Sequence, residues 1–304
     1  MESKYVVCDG KRIHYTISGA GPAVVLLHGL MEGAWVWREM TEVWAAENRV
    51  LAIDLPGHGQ SEVLSDVHSV PLCAQVVEAV MRAEDVAAAV LVGHSMGGYV
   101  ALAVADLFPE KVKGIVLFHS QAAQDGEEGL AQRRRAIALL EAGGEAKKDF
   151  VTRFMPTLFA PQNRERMAGK IAALTEAGRA MSLEAILAIQ KGLAERKSYL
   201  PVLTRGTAAG SAAADGDNVS VLPPRTLRSL KSAATEHCSP SASAPLPFCF
   251  IIGRHDEKQN VSKVMSQAML CERAEILWLP CGHMGFWEEP EACAAFVRDF
   301  LNRV

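Results

Sequence analysis

The stretch Gly93-His94-Ser95-Met96-Gly97 decides the fold, because it stands between an apolar run and a helical pattern. The run Ala88–Val92 before it is typical of a buried strand, and Gly98–Phe108 after it favours a helix. On such a sharp strand-to-helix turn the serine hydroxyl is exposed, and the glycines permit close backbone contacts. The pattern is common by chance, so its flanking strand and helix carry the prediction of a nucleophile elbow.

Further apolar runs predict a mostly parallel sheet. Besides the strand before Ser95, strands are predicted at Ala23–Leu27, Val50–Ile53, Val112–Phe118, Phe248–Ile252 and Glu275–Leu279. Continuous apolar runs that alternate with helical patterns are typical of parallel strands buried on both faces. The alternation within Lys11–Ser18 predicts an edge strand in an opening hairpin. Ligands bind where the carboxyl ends of parallel strands meet.

Composition divides the chain into four segments. Residues 1–120 and 245–304 carry the strand patterns and are predicted to form the core, whereas helix formers dominate residues 121–205 and predict a helical cap. Within the cap, helices are predicted at Glu127–Ala142, Asn163–Ala177 and Leu183–Arg196. Residues 206–244 are rich in Ala, Ser, Gly and Pro and contain no aromatic residue, which is typical of a disordered insertion or a gene-model artefact.

Charge and composition exclude several classes of partner. The 304 residues have a formal net charge of −4, which gives neither a basic stripe for nucleic acid nor a polybasic membrane patch. The seven cysteines form no Cys-x-x-Cys pair and are expected to be reduced thiols. No apolar signal-peptide core lies in residues 1–10 and no membrane span is expected, so we predict a cytoplasmic protein with a small-molecule substrate.

A serine hydroxyl is a poor nucleophile at neutral pH, so Ser95 needs a histidine base and a carboxylate that orients it. Asp256 follows the strand Phe248–Ile252, which places it at the carboxyl edge of the sheet. His283 follows the strand Glu275–Leu279 and is expected at the same edge. The sequence therefore predicts Ser95, Asp256 and His283 as the catalytic residues, in that chain order.

Negative charge on a substrate carbonyl oxygen needs hydrogen-bond donors. The backbone amide of Leu30 follows a strand, and with that of Met96 it is predicted to form the oxyanion hole. Candidate substrate-pocket residues lie beside these loops and are Trp35, His94, His119, Met284 and Phe286. Packing is the alternative role for Trp35 and Phe286, His119 could instead end its strand, and His94 is expected to pack beside the elbow.

Other polar residues near these loops have structural interpretations. Asp54 is a rival acid, but its position before a Pro-Gly-His-Gly turn favours a role in holding that loop, and Glu257 could replace Asp256 in a shifted loop. His28 and His58 lie in turns and are expected to support the backbone. The arginines 133–135 are expected on a solvated helix face, with attraction of an anionic substrate group as the alternative.

Together these motifs resemble the α/β-hydrolase fold superfamily, in particular its cap-bearing Ser-His-Asp branch of carboxylesterase-like enzymes. The resemblance covers His28-Gly29, the turn 54–61, the elbow, Gly253-x-x-Asp256 and Gly282-His283. It implies an α/β fold with a mostly parallel central sheet flanked by helices and a helical cap inserted after the sixth strand. Serine rather than aspartate at the nucleophile argues against the dehalogenase and epoxide-hydrolase branches, and the missing His-Gly-Gly-Gly run disfavours triglycerides.

This resemblance implies hydrolysis of a small carboxylic ester through an acyl-enzyme, with no metal or organic cofactor. A thioesterase, an amidase or a C–C bond hydrolase could use the same residues. A ligand receptor that retains the fold is an alternative of another class. The physiological substrate and the oligomeric state stay open at this stage.

Overall fold

An eight-stranded sheet forms the centre of the protein in the computed structural model, which describes residues 1–205 and 245–304. Its strands are β1 Glu2–Cys8, β2 Lys11–Ser18, β3 Ala23–Leu27, β4 Arg49–Ile53, β5 Ala89–His94, β6 Val112–Phe118, β7 Phe248–Gly253 and β8 Ala274–Leu279. The strand order is β1-β2-β4-β3-β5-β6-β7-β8. Strand β2 pairs antiparallel with β1 and β4, and every other pair is parallel.

The parallel strands are almost wholly apolar because helices cover both faces of the sheet. All six residues of β5 and all six of β7 are buried, and Val24 to Leu27 of β3 are at most 1% exposed. These side chains form one hydrophobic core with the flanking helices. In contrast, β1 at the sheet edge alternates exposed and half-buried residues.

Four of the six helices described in the core segments connect one strand to the next, and two follow the last strand. The six are α1 Arg38–Trp44, α2 Val70–Ala83 and α3 Met96–Leu107 before the cap, and α9 Val261–Ala268, α10 Gly285–Glu288 and α11 Pro290–Leu301 after it. Helix α2 packs against α3, and α1 packs against α11. Helix α2 begins at an N-cap serine, since the Ser69 side chain accepts a hydrogen bond from the Leu72 backbone amide.

Residues 121–205, the segment predicted to form a cap and called the cap below, lie between β6 and β7 in the chain and are helical. The helices of the cap are α4 Glu127–Glu141, α5 Ala146–Phe154, α6 Ala168–Ala180, α7 Leu183–Ala194 and α8 Leu200–Leu203. Short 3-10 turns at Met155–Leu158 and Pro161–Asn163 connect α5 to α6. The predicted fold class is thereby confirmed: a mostly parallel sheet is flanked by helices, and helices are inserted after the sixth strand.

The structure differs from the sequence prediction in the cap at the unpredicted helices α5 and α8, at both ends of α6, and by one or two residues at the ends of α4 and α7. Helix α5 was not predicted, because its nine residues bury only Val151 fully and so give a weak apolar pattern. Helix α6 begins at Ala168 rather than Asn163, because the chain there first forms the 3-10 turn that starts at Pro161. The low-complexity prediction for 206–244 lies outside the described residues.

Two sequence expectations concern cysteines and membrane spans. The six cysteines in the described part are all free, and burial raises the pKa of Cys73 and Cys271 to about 12. Within residues 1–205 and 245–304, no helix combines the length and the apolar character that a bilayer crossing requires.

Candidate active site

Ser95 sits on the sharp turn between β5 and α3, as the elbow pattern predicts. Its backbone has φ 49° and ψ −111°, a conformation that costs a non-glycine residue free energy and must be held by its surroundings. Three hydrogen bonds hold it. The Ser95 amide donates to the Phe118 carbonyl at 2.9 Å, and the Ser95 carbonyl accepts from Ser120 Oγ at 2.7 Å and from the Gly98 amide at 3.0 Å. The side chain is left half-buried at the carboxyl end of the sheet.

The loops after β7 and β8 bring Asp256 and His283 together. His283 Nδ1 donates a hydrogen bond to Asp256 Oδ2 at 2.7 Å, and the Lys258 amide donates to Oδ1 at 2.8 Å. Burial by itself would favour the neutral acid, but His283 and a second histidine hold the pKa of Asp256 far below its usual range. Asp256 is therefore an anion that fixes the proton of His283 on Nδ1.

The backbone of His283 is also fixed at both its polar atoms. Its amide donates to the carbonyl of Leu158 in the cap at 2.7 Å, and its carbonyl accepts from His94 Nε2 at 2.8 Å. Since His94 directly precedes Ser95, this second bond brings the His283 loop to the elbow. Among residues 1–205 and 245–304, neither Ser95 Oγ nor His283 Nε2 has a hydrogen-bond partner. Catalytic hydrogen bonds are often long in an enzyme without its substrate.

The two predicted oxyanion donors are the backbone amides of Leu30, in the loop after β3, and of Met96, next to Ser95 in the chain. Leu30 follows β3 and is half-buried, whereas Met96 is the first residue of α3. Within the described ranges neither backbone amide donates to another protein group. An amide in the first turn of a helix has no partner within its own helix, and the helix dipole favours an anion there. Both amides are therefore available to a ligand oxygen.

Asp54, His28 and His58 hold the backbone around these donors. Asp54 accepts hydrogen bonds from the amides of Ala34 at 2.6 Å and Gln60 at 2.9 Å and from His14 Nδ1 at 2.7 Å. His28 Nε2 accepts from the Leu55 amide at 3.0 Å, and His58 Nε2 accepts from the Met31 amide at 3.2 Å. The alternative acid Glu257 has a side chain that is 54% exposed and 3.9 Å from Arg164.

The five predicted pocket residues differ in burial. His94, His119, Met284 and Phe286 are all 0% exposed, whereas Trp35 is half-buried. The Phe286 ring packs against His94 at 5.1 Å between centroids, and the Trp35 ring lies 5.7 Å from that of Trp287. Contact with a substrate stays a prediction for all five residues, and Trp35 has the side chain most open to one.

His119 places a second imidazole beside Asp256. Its Nδ1 lies 3.3 Å from Asp256 Oδ2 without meeting hydrogen-bond geometry, and its Nε2 accepts from the Gly285 amide at 3.2 Å. An Nε2 that accepts a hydrogen bond has no proton, so the proton of the neutral ring is on Nδ1. Burial lowers the pKa of His119 to about 4, which keeps the ring neutral at pH 7.

His119, Asp256 and His283 have the donor set of a metal site, since one ligand atom of each lies within 4.8 Å of the others. The hydrogen bonds do not fit that interpretation. His283 Nδ1 donates its proton to the anionic carboxylate, and His119 Nε2 accepts from the Gly285 amide, which leaves the proton of that neutral ring on Nδ1. A metal bound between these groups would need the lone pairs of both Nδ1 atoms. The cluster is therefore better described as a carboxylate between two imidazoles.

Sequence reasoning missed two buried acids that contact these loops. Glu32 is 2% exposed and accepts from the Gly29 amide at 2.7 Å, and His94 Nδ1 lies 3.0 Å from it. Glu288 is 1% exposed and accepts from the Gly282 amide at 2.9 Å and from the cap residues Ala160 and Asn163. The available signal for Glu32 was that it is a single acidic residue inside the apolar stretch 30–37.

The chain resembles several curated proteins over part of its length. It is 32% identical over 169 residues to an uncharacterized protein of Mycobacterium bovis, an alignment that covers 56% of this chain and 48% of the relative. It is 41% identical over 125 residues to a 2-hydroxy-6-oxononadienedioate/2-hydroxy-6-oxononatrienedioate hydrolase of Burkholderia vietnamiensis, covering 38% and 43% of the two chains. The chain thus spans about half the length of the curated relatives it matches.

Solved structures and the family comparison agree on the fold. A thermophilic esterase from Thermogutta terrifontis has a TM-score of 0.80 at 21% identity, covering 100% of this chain and 99% of that one. The enol-lactonase from Burkholderia xenovorans has a TM-score of 0.77 at 19% identity, covering 98% and 100%. The alpha/beta hydrolase fold family matches residues 22–290. The chain therefore belongs to the alpha/beta hydrolase fold family.

Proposed function

We propose that the protein is a serine hydrolase that cleaves a small carboxylic ester through an acyl-enzyme. The bond of 2.7 Å between His283 Nδ1 and Asp256 Oδ2 is the observation that carries this proposal. It leaves Nε2 of a neutral imidazole as the acceptor for the proton of Ser95. Ser95, on its strained turn, supplies the nucleophile. The backbone amides of Leu30 and Met96 supply the oxyanion donors.

In the first half of the reaction Ser95 Oγ attacks the ester carbonyl carbon while His283 Nε2 takes the hydroxyl proton. The carbonyl oxygen becomes an anion that the amides of Leu30 and Met96 stabilise. Collapse of this intermediate breaks the bond to the alkoxy oxygen, and His283 returns its proton to the departing alcohol. Asp256 remains ionised throughout and balances the charge of the imidazolium.

In the second half a water molecule attacks the acyl-enzyme carbonyl, and His283 Nε2 accepts one of its protons. The same two amides stabilise the second oxyanion. When this intermediate collapses, the proton returns to Ser95 Oγ and the carboxylic acid leaves. Every proton passes through His283 Nε2, so the proposed reaction uses groups of the chain together with the substrate and water.

Two observations favour a small substrate. The cap contacts the His283 loop directly, through the Leu158 carbonyl and through the Glu288 carboxylate that joins Ala160 and Asn163 to Gly282. The ring of Phe159 in the cap also stacks on Trp287, with centroids 6.4 Å apart. A cap held against the loop of the base favours a small substrate over a triglyceride.

Hydrolysis of p-nitrophenyl esters from acetate to octanoate at pH 5 to 9 tests the proposal. We expect turnover by the wild-type protein and a loss of about 10³-fold or more in kcat for Ser95→Ala. Ser69→Ala is the matched control, since it removes a serine that caps α2 outside the site. Equal rates for wild type and Ser95→Ala, or no turnover of any ester by the wild type, would count against esterase activity.

A C–C bond hydrolase is the second candidate, favoured by the relative of 41% identity that is named as a hydrolase of 2-hydroxy-6-oxo-dienedioates. The same nucleophile, base and oxyanion donors would serve that reaction. Its test is spectrophotometric loss of a 2-hydroxy-6-oxo-dienoate chromophore on addition of the protein. Turnover of this compound in the absence of ester turnover would replace the ester proposal.

A further inference from the structure

A buried acid-histidine pair lies directly behind the proposed nucleophile. His94 Nδ1 is 3.0 Å from the carboxylate of Glu32, and the two side chains are 0% and 1% exposed. Burial opposes both charges, but the interaction with Glu32 raises the pKa of His94, and that with His94 lowers the pKa of Glu32. Both shifts favour the ion pair, whose net charge is zero.

This pair contacts three loops of the proposed site. Glu32 Oε2 accepts from the Gly29 amide at 2.7 Å, one residue before the oxyanion donor Leu30. His94 Nε2 donates to the His283 carbonyl at 2.8 Å, and the His94 backbone continues directly into Ser95. The pair thus bonds to the oxyanion loop, the elbow and the base loop at once.

Close packing shows that the Glu32 carboxylate and the His94 ring fit against the oxyanion loop. A Cβ atom at Gly29 would come within 2.6 Å of Glu32 Oε1 and 2.7 Å of His94 Nδ1, so the pair needs a glycine at this position. The rings of His94 and His283 are 4.9 Å apart between centroids, and Phe286 packs on His94 from another side. The contacts leave His94 one orientation, with Nε2 toward His283.

Another buried acid-histidine pair in the same protein provides a comparison. His14 Nδ1 lies 2.7 Å from Asp54 Oδ2, and both side chains are 5% exposed. The other ring nitrogen of His14, however, bonds Ser3 Oγ at 2.9 Å and reaches none of the proposed catalytic residues. A buried acid-histidine pair therefore need not bond to the base. Of these two pairs, the one with His94 does so.

We propose that Glu32 and His94 are positioning residues, which hold the His283 backbone and the oxyanion loop in register with Ser95. This inference rests on the proposed function, in which His283 is the base. The side chain of His283 is fixed at Nδ1 by Asp256 and its amide by Leu158, and the bond from His94 fixes the carbonyl. A shift of a reacting group by about 1 Å can lower a rate by about 100-fold, so a backbone bond at the base is sufficient to affect the rate.

Two substitutions of His94 separate positioning from stability. In His94→Asn the amide nitrogen replaces Nδ1 and can still donate to Glu32, but the side chain ends short of the His283 carbonyl. In His94→Gln the amide nitrogen replaces Nε2 and can reach that carbonyl, but Glu32 loses its partner. A positioning role and a stabilising role therefore predict opposite orders for the two variants.

The readout is the second-order rate constant for labelling by a fluorophosphonate probe, per folded protein, together with the urea midpoint of unfolding. The probe reacts with an activated serine whatever the natural substrate is. We expect labelling of His94→Asn to be slower than wild type by about 10-fold or more, whereas His94→Gln should be slowed less, because it keeps the bond to the His283 carbonyl and loses only the contact with Glu32. The urea midpoint should fall more in His94→Gln, because a charged carboxylate is left buried without a partner.

Arg49→Gln is the matched control, because it weakens a contact to the buried acid Glu84 at the amino end of β4, and it should leave the labelling rate unchanged. Where either His94 variant fails to fold by near-ultraviolet circular dichroism, the comparison is made in the Glu32→Gln background, which buries no unpaired charge. Equal labelling rates for the two His94 variants, or rates that follow the urea midpoints, would overturn the inference. Failure of the wild-type protein to label is a separate result, which refutes the proposed function and the positioning role together.

Discussion

His119 gives the sharpest quantitative prediction about stability. Burial lowers the pKa of this histidine from 6.5 to about 4, so the folded protein keeps the ring neutral where the unfolded chain protonates it. The unfolded state therefore binds more protons below pH 6.5, and stability is lost as the pH falls from 6.5 toward 4. With about 1.4 kcal/mol for each pH unit, lowering the pH from 7 to 5 costs the wild type about 2 kcal/mol through this group.

His119→Asn removes this titration with little change in shape. The residue has φ 48°, a conformation that asparagine adopts more readily than most residues, and the asparagine amide nitrogen can replace Nδ1 near Asp256. We expect the free energy of unfolding of the variant to fall by about 2 kcal/mol less than that of the wild type between pH 7 and pH 5.

Urea unfolding at half-unit intervals of pH, followed by tryptophan fluorescence, measures this difference. Other histidines with lowered pKa, such as His28 and His58, titrate equally in both proteins and cancel in the comparison. Parallel plots of the free energy of unfolding against pH for wild type and His119→Asn, between pH 7 and pH 5, would refute the reasoning. They would show that His119 binds its proton equally in the folded and the unfolded protein.

Three further predictions concern the site and its supports. Asp256→Asn removes the anion that orients the base, so kcat for an ester should fall by about 10³-fold to 10⁴-fold with little change in KM, as steady-state kinetics would show. Glu288→Ala leaves three donors without their acceptor, and the free energy of unfolding in urea should fall by about 3 kcal/mol. Gly97→Ala should lower both stability and esterase kcat, because its Cβ would overlap the Leu27 carbonyl oxygen. Gly169→Ala, at an open position in α6, should instead raise the thermal midpoint by an amount that corresponds to about 1 kcal/mol. Unchanged kcat for Asp256→Asn, unchanged stability for Glu288→Ala, or equal shifts for the two glycine variants would contradict these statements.

Local sequence patterns were sufficient to predict most strands of the sheet and the strand that precedes each candidate catalytic residue. The predicted bounds of β3 and β6 are those of the structure. The apolar run of β3 is five residues long and lies between Pro22 and His28-Gly29, which favours a buried strand over a helix. Parallel strands bring their following loops to one edge, which is how Asp256 and His283 meet although 27 residues separate them.

The supports of the site could not be predicted, because their partners are distant in the chain. Glu32 meets His94 across 62 residues, and Glu288 meets Ala160 across 128, so no local period marks either contact. His119 was considered for the pocket, but its contact with Asp256 depends on how β6 and β7 pair. Helix α5 was missed because too few of its residues are buried to give a pattern.

The most direct test of the account is to look for an acyl group on Ser95. The protein is mixed with p-nitrophenyl acetate, quenched in acid within milliseconds to seconds, digested and analysed by mass spectrometry. We predict an acetyl group on the peptide that contains Ser95, with release of p-nitrophenol in a burst of one equivalent per folded protein. Turnover with no acyl group on Ser95, or with the acyl group on another residue, would contradict the central claim.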